Sequence, residues 1–186
     1  MKGINKMKNV KIYNMALCGL FAAITAVLSQ IAIPIGPVPI NLATFAVFCA
    51  GALLGSKLGS ISLIVWAILG AFGVPVFSMF RGGLGTLLGP TGGYIIGYIP
   101  AAFVIGLVIE KFTKLNKFCT YLIAMFIGMC IYFFLGTLWY MFSTKSALWS
   151  ALTVCVFPFL IGDFLKLFVA TLISQKLRPL LNKRMI

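Results

Sequence analysis

Long apolar segments, separated by short charged or glycine- and proline-rich segments, dominate the sequence. A helix needs about 20 apolar residues to cross the hydrocarbon core of a bilayer. Pro34, Pro37 and Pro39 end the first apolar segment, and a tight turn around Lys57 separates the second from the third. The pattern predicts six membrane spans, at residues 12–33, 38–55, 58–75, 94–109, 118–141 and 148–177.

The composition agrees with this pattern and excludes an ordinary soluble domain. Hydrophobic residues make up 62% of the 186 positions and charged residues 9%, and the mean hydropathy is +1.12. Soluble domains carry about 25% charged residues. We therefore predict an all-α integral membrane protein, a single six-transmembrane-helix bundle at residues 12–177.

The net charge of +13 is distributed as expected for a membrane protein, which argues against a nucleic-acid partner. Basic residues concentrate in the segments that share a side with the N-terminus, and cytoplasmic segments are the ones enriched in Lys and Arg. We expect both termini in the cytoplasm, with residues 1–11 as an N-terminal segment and residues 178–186 as a basic tail. Met7 offers an alternative start, in which case residues 1–6 precede the native chain. The basic residues assigned to the cytoplasm are Lys2, Lys6, Lys8, Lys11, Lys57, Lys111, Lys114, Lys117, Lys176, Arg178, Lys183 and Arg184.

Few residues could support catalysis. The chain has no histidine and two carboxylates, Glu110 and Asp163, which excludes a histidine-based triad and predicts no metal site and no cofactor. Residues 51–57, GALLGSK, are too closely spaced for an ATP-binding P-loop. The five cysteines lie in or beside apolar segments and form no CxxC, so we interpret them as packing residues. We expect no cleavable signal, because the first apolar segment is too long for one.

Asp163 is the exception within the apolar pattern. It lies inside the last predicted span, and Lys166 follows three positions later, on the same face of a helix. An ionisable residue within a membrane span is a candidate functional residue by default. Two interpretations stay open. The pair could bind a ligand with adjacent N–H and C=O groups, such as a urea or cyclic amide, or it could be an ion pair that fixes helix packing.

A glycine-rich segment, RGGLGTLLGPTGGY at residues 81–94, follows the third predicted span. Arg81 opens it on the outer side, and its planar guanidinium matches a carboxylate in a bidentate manner. The alternative is a contact with lipid headgroups. The apolar middle of a site between Arg81 and the Asp163–Lys166 pair could be lined by Trp66, Phe72, Phe77 and Phe80.

The first predicted span carries small residues four positions apart, at Gly19 and Ala23 and at Ala22 and Ala26. Small residues at this spacing let a second helix approach closely. They indicate either a docking face for a separate membrane subunit or packing within the bundle.

Several segments together resemble one family. IPIGPVPINLATFAVFCAGALLGSKLG, GVPVF, RGGLGTLLGPTGGYIIGY and GDFLK are similar to the BioY family, the biotin-binding S-components of energy-coupling factor (ECF) transporters. The GPTGGY and GDxxK blocks are the most specific. The resemblance implies that Asp163 and Lys166 meet the ureido ring of biotin and that Arg81 binds its carboxylate. It also implies that the glycine-rich loop, with Gly82, Gly83 and Tyr94, flanks the valerate tail.

Some relatives carry Asn at the Arg81 position and Arg directly after the GGY tyrosine, where this chain has Ile95. The resemblance further implies a substrate-capture subunit in a bacterial cell membrane, with biotin as transported ligand and no enzymatic activity. Its partners would be a transmembrane coupling protein, docked on Gly19, Ala22, Ala23 and Ala26, and ATP-binding cassette ATPases. The alternatives are an S-component for another vitamin and a structural membrane subunit without a ligand. A membrane transferase is disfavoured by the shortage of acid–base residues.

Overall fold

A computed structural model describes residues 2–112 and 116–185, with side chains described for residues 10–112 and 116–181. The predicted cytoplasmic loop around Lys114 therefore lies partly outside the described residues. Helices dominate this part of the chain, and five are long and apolar enough to cross a membrane. The elements are α1 Lys2–Gln30, β1 Ala32–Ile33, β2 Ile40–Asn41, α2 Ala43–Ala71, a 3₁₀ turn Ser78–Phe80, α3 Leu84–Leu88, α4 Gly92–Lys111, α5 Lys117–Thr144, α6 Leu148–Cys155 and α7 Phe157–Met185.

The α2 element reverses direction at Gly55. This residue has φ 83° and ψ −176°, a conformation that glycine adopts readily and other residues do not. A Cβ atom added to Gly59 would lie 2.7 Å from the Ala50 carbonyl oxygen, a contact that a straight helix cannot make. The two halves of α2 therefore form a helical hairpin, and its reversal lies two residues before Lys57, where the sequence predicts a turn.

The hairpin packs closely against α4. A Cβ added to Gly51 would lie 2.6 Å from the Ala102 carbonyl oxygen, and one added to Gly106 would collide with the Ser56 backbone nitrogen. Glycine permits both approaches because it has no side chain. Helix α4 in turn packs against α5, so much of the core lies between these three elements, and α1 and α7 add the rest.

A polar cluster lies at the reversal of α2. The Glu110 carboxylate at the end of α4 accepts hydrogen bonds from the backbone nitrogen and the hydroxyl of Ser56, each at 2.8 Å. Arg178 on α7 lies 3.9 Å from the same carboxylate. These contacts tie α2, α4 and α7 together at one end of the bundle.

The predicted span at residues 148–177 is divided, which corrects the prediction of one continuous helix. Helix α6 ends at Cys155, Val156 has φ −124° and ψ −59°, and α7 begins at Phe157. The cause is Pro158, because a proline has no N–H to donate and its ring collides with the carbonyl group four residues earlier.

The small residues of α1 fall on two faces. Gly19 and Ala23 are exposed, and a Cβ added to Gly19 would meet nothing within 4 Å. Ala22 is buried in the core and Ala26 is half-buried against it. Of the four residues predicted to form a docking face, two are therefore available on the outside of the bundle.

Candidate functional site

A single cavity brings together the charged residues that the sequence singles out. It contains about 660 Å³ of space not filled by protein atoms, part of it open to solvent. Its walls come from the β2 region, α2, the loop at 77–91, α4, α5 and α7. The lining includes Asn41, Thr44, Trp66, Phe77, Ser78, Arg81, Thr86, Thr91, Tyr94, Tyr98, Tyr132, Phe133, Asp163 and Lys166.

Asp163 lies at the buried side of the cavity, with an exposed fraction of 1%. Its Oδ1 pairs with the Lys166 ammonium at 2.7 Å and accepts a hydrogen bond from the Thr44 hydroxyl at 3.1 Å. Its Oδ2 accepts a hydrogen bond from the Tyr132 hydroxyl at 2.6 Å. A carboxylate has about four acceptor positions. Among the described residues, one acceptor position on Oδ2 therefore has no protein partner, and a ligand N–H group could occupy it.

Protein partners use more of the hydrogen-bonding capacity of Lys166 than of Asp163. Its ammonium donates to the Asn41 carbonyl oxygen at 2.6 Å, to the Thr44 hydroxyl at 3.1 Å and to Asp163 at 2.7 Å. An ammonium has three N–H donors, and all three have protein partners here. Lys166 must release one of these partners before it can donate to a ligand, whereas Asp163 can accept directly.

Arg81 lies at the mouth of the cavity. Its side chain is exposed, and it also lines an adjoining open groove together with Gly36, Thr86 and Pro90. Among the described residues it makes no ion pair. The two carboxylates of the chain are engaged elsewhere, Glu110 with Ser56 and Arg178 and Asp163 with Lys166. Its guanidinium therefore remains available to an anionic ligand.

Of the other predicted site residues, Tyr94 lines the cavity and the two glycines do not. Tyr94 lines the cavity with its ring, and its hydroxyl donates to the Cys155 carbonyl oxygen at 2.7 Å. Gly82 and Gly83 do not line the cavity. The Gly83 nitrogen donates to the Gly70 carbonyl oxygen at 2.6 Å, and its φ of 86° turns the chain into α3. These two glycines direct the path of the loop that carries Arg81.

Two of the four predicted aromatic residues form the apolar wall. Trp66 and Phe77 are each 2% exposed and meet edge to face, with ring centroids 5.1 Å apart. Tyr98 stacks on Trp66, with ring centroids 6.1 Å apart. Phe72 and Phe80 are 85% and 73% exposed and do not line the cavity, so the expectation for these two residues is wrong.

Thr44, Tyr132 and Asn41 hold the charged pair, and the sequence does not single them out. Hydroxyl-bearing side chains are common in membrane helices, where they bond across helices or to their own backbone. Thr44 is 119 residues from Asp163 in sequence, and Tyr132 is 31 residues away. Only the packing of α2 and α5 against α7 distinguishes Thr44 and Tyr132 from the other hydroxyl-bearing residues of the spans.

Comparison with known proteins places this architecture in one family. Residues 5–183 match the family model described as the BioY family. Biotin transporter BioY of Thermotoga maritima is 41% identical over 162 residues, which cover 87% of this chain and 94% of the relative. The probable biotin transporter BioY of Pyrococcus horikoshii is 38% identical, with 91% and 98% covered.

A solved structure shares the fold. The crystal structure at 2.1 Å of the S-component for biotin from an ECF-type ABC transporter matches with a TM-score of 0.84 and 31% sequence identity. The match covers 91% of this chain and 92% of that chain. The family model, the relatives and the shared fold agree, and the chain belongs to the BioY family.

Proposed function

We propose that this chain is the substrate-capture S-component of a biotin uptake transporter in a bacterial cell membrane. The observation that carries the proposal is one cavity with an Asp163 acceptor at its buried side and an exposed Arg81 at its mouth. The named relatives are biotin transporters, which agrees with the prediction that the chain is not an enzyme.

Biotin matches the distribution of polarity in the cavity. The ligand has a cyclic urea at one end and a carboxylate at the other, joined by an apolar ring and chain. The free acceptor position on Asp163 suits a urea N–H, and Arg81 suits the carboxylate. Trp66 and Phe77 offer apolar surface between these ends. A thiamine cation would instead meet the positive charges of Arg81 and Lys166.

For the topology we propose six crossings, with the two halves of α2 counted separately and both termini in the cytoplasm. The chain reversal at Gly55 supports this count, since α2 would otherwise cross once as a single helix. The concentration of basic residues on one side supports the orientation. In this arrangement the cavity opens to the outer side and the Glu110–Ser56 cluster faces the cytoplasm.

For the partners we propose a transmembrane coupling protein and ATP-binding cassette ATPases. The sequence contains no P-loop, so energy from ATP must come from other chains. Gly19 and Ala23 form an exposed small-residue surface on α1, where a partner helix could approach closely.

Equilibrium binding of labelled biotin to the detergent-purified chain tests the proposal. We expect a Kd below about 1 µM, which corresponds to about 8 kcal/mol of binding free energy. Unlabelled biotin should displace the label, and thiamine and riboflavin at equal concentration should not. If the folded chain does not bind biotin in this range, or if either other vitamin competes equally, the proposed substrate is wrong.

A further inference from the structure

The turn that carries Arg81 has a strained backbone. The Phe77 nitrogen donates to the Arg81 carbonyl oxygen at 2.9 Å, which closes a loop of five residues. Inside it, Met79 and Phe80 have φ angles of 60° and 57°. These values lie in the left-handed region, which is unfavourable for residues with a side chain. Such a conformation persists only where the surrounding structure holds it.

Gln30, the last residue of α1, supplies a contact at the strained position. Its Oε1 accepts a hydrogen bond from the Phe80 backbone nitrogen at 2.8 Å. Its amide nitrogen lies 3.0 Å from the Ala26 carbonyl oxygen and 3.3 Å from the Pro75 carbonyl oxygen, so it can donate to either. Gln30 therefore joins the start of the loop at Pro75 to the left-handed residue directly before Arg81.

Other side chains fix the start of the same loop. The Val76 carbonyl oxygen accepts a hydrogen bond from the Trp66 indole at 3.0 Å. The Ser29 hydroxyl lies 2.6 Å from the same oxygen and 2.7 Å from the Ala26 carbonyl oxygen, and its one hydrogen can be donated to either. Because Ser29 and Trp66 already hold this end, loss of the Gln30 contact should change the turn at Phe80 and Arg81 more than the rest of the loop.

We infer that Gln30 is a positioning residue for Arg81 and thereby sets the preference of the cavity for a ligand with an anionic tail. It has no contact with the cavity itself. By holding Phe80 in the left-handed conformation, it fixes where the next residue directs its guanidinium, and a bidentate contact with a carboxylate depends strongly on that direction. The inference rests on the proposed function, since it takes the tail of biotin as the anion that Arg81 meets.

The test compares biotin with biotin amide, which lacks the carboxylate, on the full-length chain. Gln30→Met keeps the length of the side chain and removes its hydrogen bonds. We expect it to weaken biotin about tenfold, as loss of a well-placed contact would, and to leave biotin amide within about twofold. Gln175→Met on α7, 12 residues beyond Asp163 and so about 18 Å along the helix, is the matched control and should change neither ligand. Arg81→Ala should show the same selectivity as Gln30→Met.

A second substitution tests the cause. Asn adopts left-handed φ angles more readily than Phe, and the Phe80 side chain is largely exposed, so Phe80→Asn should restore part of the biotin affinity to Gln30→Met. The inference is overturned if Gln30→Met binds biotin as the wild type does, if it weakens both ligands equally, or if Phe80→Asn gives no recovery. Failure of the wild type to bind biotin would instead overturn the proposed function.

Discussion

At the scale of single residues, protein partners fill most but not all of the hydrogen-bond acceptor positions of Asp163. Burying a carboxylate is costly, and Lys166 offsets the cost by supplying the opposite charge at 2.7 Å. Thr44 and Tyr132 complete the network. The pair can therefore stabilise the packing of α7 and still offer one acceptor position to a ligand, so the two interpretations left open by the sequence are compatible.

Substitution at both members of the pair separates these roles. Asp163→Asn should weaken biotin at least about 100-fold, because the charged acceptor is lost, and should lower the melting temperature, because Lys166 is left without its counter-charge. In Asp163→Asn/Lys166→Met the unpaired charge is gone, so we expect the melting temperature to recover while binding stays lost. Calorimetry and labelled-biotin binding measure the two effects. Recovery of binding in the double variant would show that Asp163 serves packing alone.

The sequence could predict the part of the site that depends on local geometry. Asp163 and Lys166 are three residues apart, so any helix places them on one face. Arg81 stands out because it is the one basic residue beside the glycine-rich segment. Thr44, Tyr132 and Gln30 act through contacts between distant segments, and their residue types are too common in membrane helices to identify them beforehand.

At the scale of elements, α1 presents two distinct surfaces. A four-residue repeat of small side chains identifies a surface suited to close approach, but it does not say which neighbour occupies it. In the structure Ala22 meets the core of the protein, while Gly19 and Ala23 are exposed. Bundle packing is thus assigned to Ala22, whereas docking of a partner on Gly19 and Ala23 stays a proposal that their exposure permits.

Leucine substitutions on the two surfaces should have different effects. Ala23→Leu should preserve biotin binding and thermal stability but reduce uptake by cells that contain the coupling partners, because it enlarges a surface proposed for docking. Ala22→Leu, one residue away, should lower stability and binding, since overpacking a core costs about 1–3 kcal/mol. Uptake of labelled biotin and binding to the purified variants provide the comparison. Normal uptake by Ala23→Leu would place the docking surface elsewhere.

Two chain breaks show where prediction of elements succeeded and where it did not. The reversal of α2 lies at Gly55, close to the predicted turn, because glycine and serine residues beside Lys57 interrupt the apolar pattern. The break between α6 and α7 was missed although Pro158 marks it in the sequence. The apolar pattern continues without change through Pro158. The helix is interrupted there because proline has no backbone N–H to donate and its ring collides with the preceding turn.

At the scale of the whole molecule, the proposed six crossings place Lys57 and Lys145 on opposite sides of the membrane. Both side chains are exposed. Single cysteines at these positions, in a chain whose five native cysteines are replaced by alanine, can be tested with a membrane-impermeant maleimide on intact cells. We expect Lys145→Cys to react at once and Lys57→Cys only after the membrane is permeabilised. Reaction of Lys57→Cys in intact cells would contradict the proposed topology.

The close contact between α2 and α4 has a consequence for how a ligand could leave. Gly51 packs against the backbone of Ala102 and Gly106 against the backbone of Ser56, so the two elements are in direct backbone contact. A ligand path between α2 and α4 would therefore require these two elements to separate. We therefore expect the entrance beside Arg81 to serve also as the exit. Under the proposed function, delivery would then require the protein to reorient so that this entrance faces the other side of the membrane. It would not require a channel to open through the bundle.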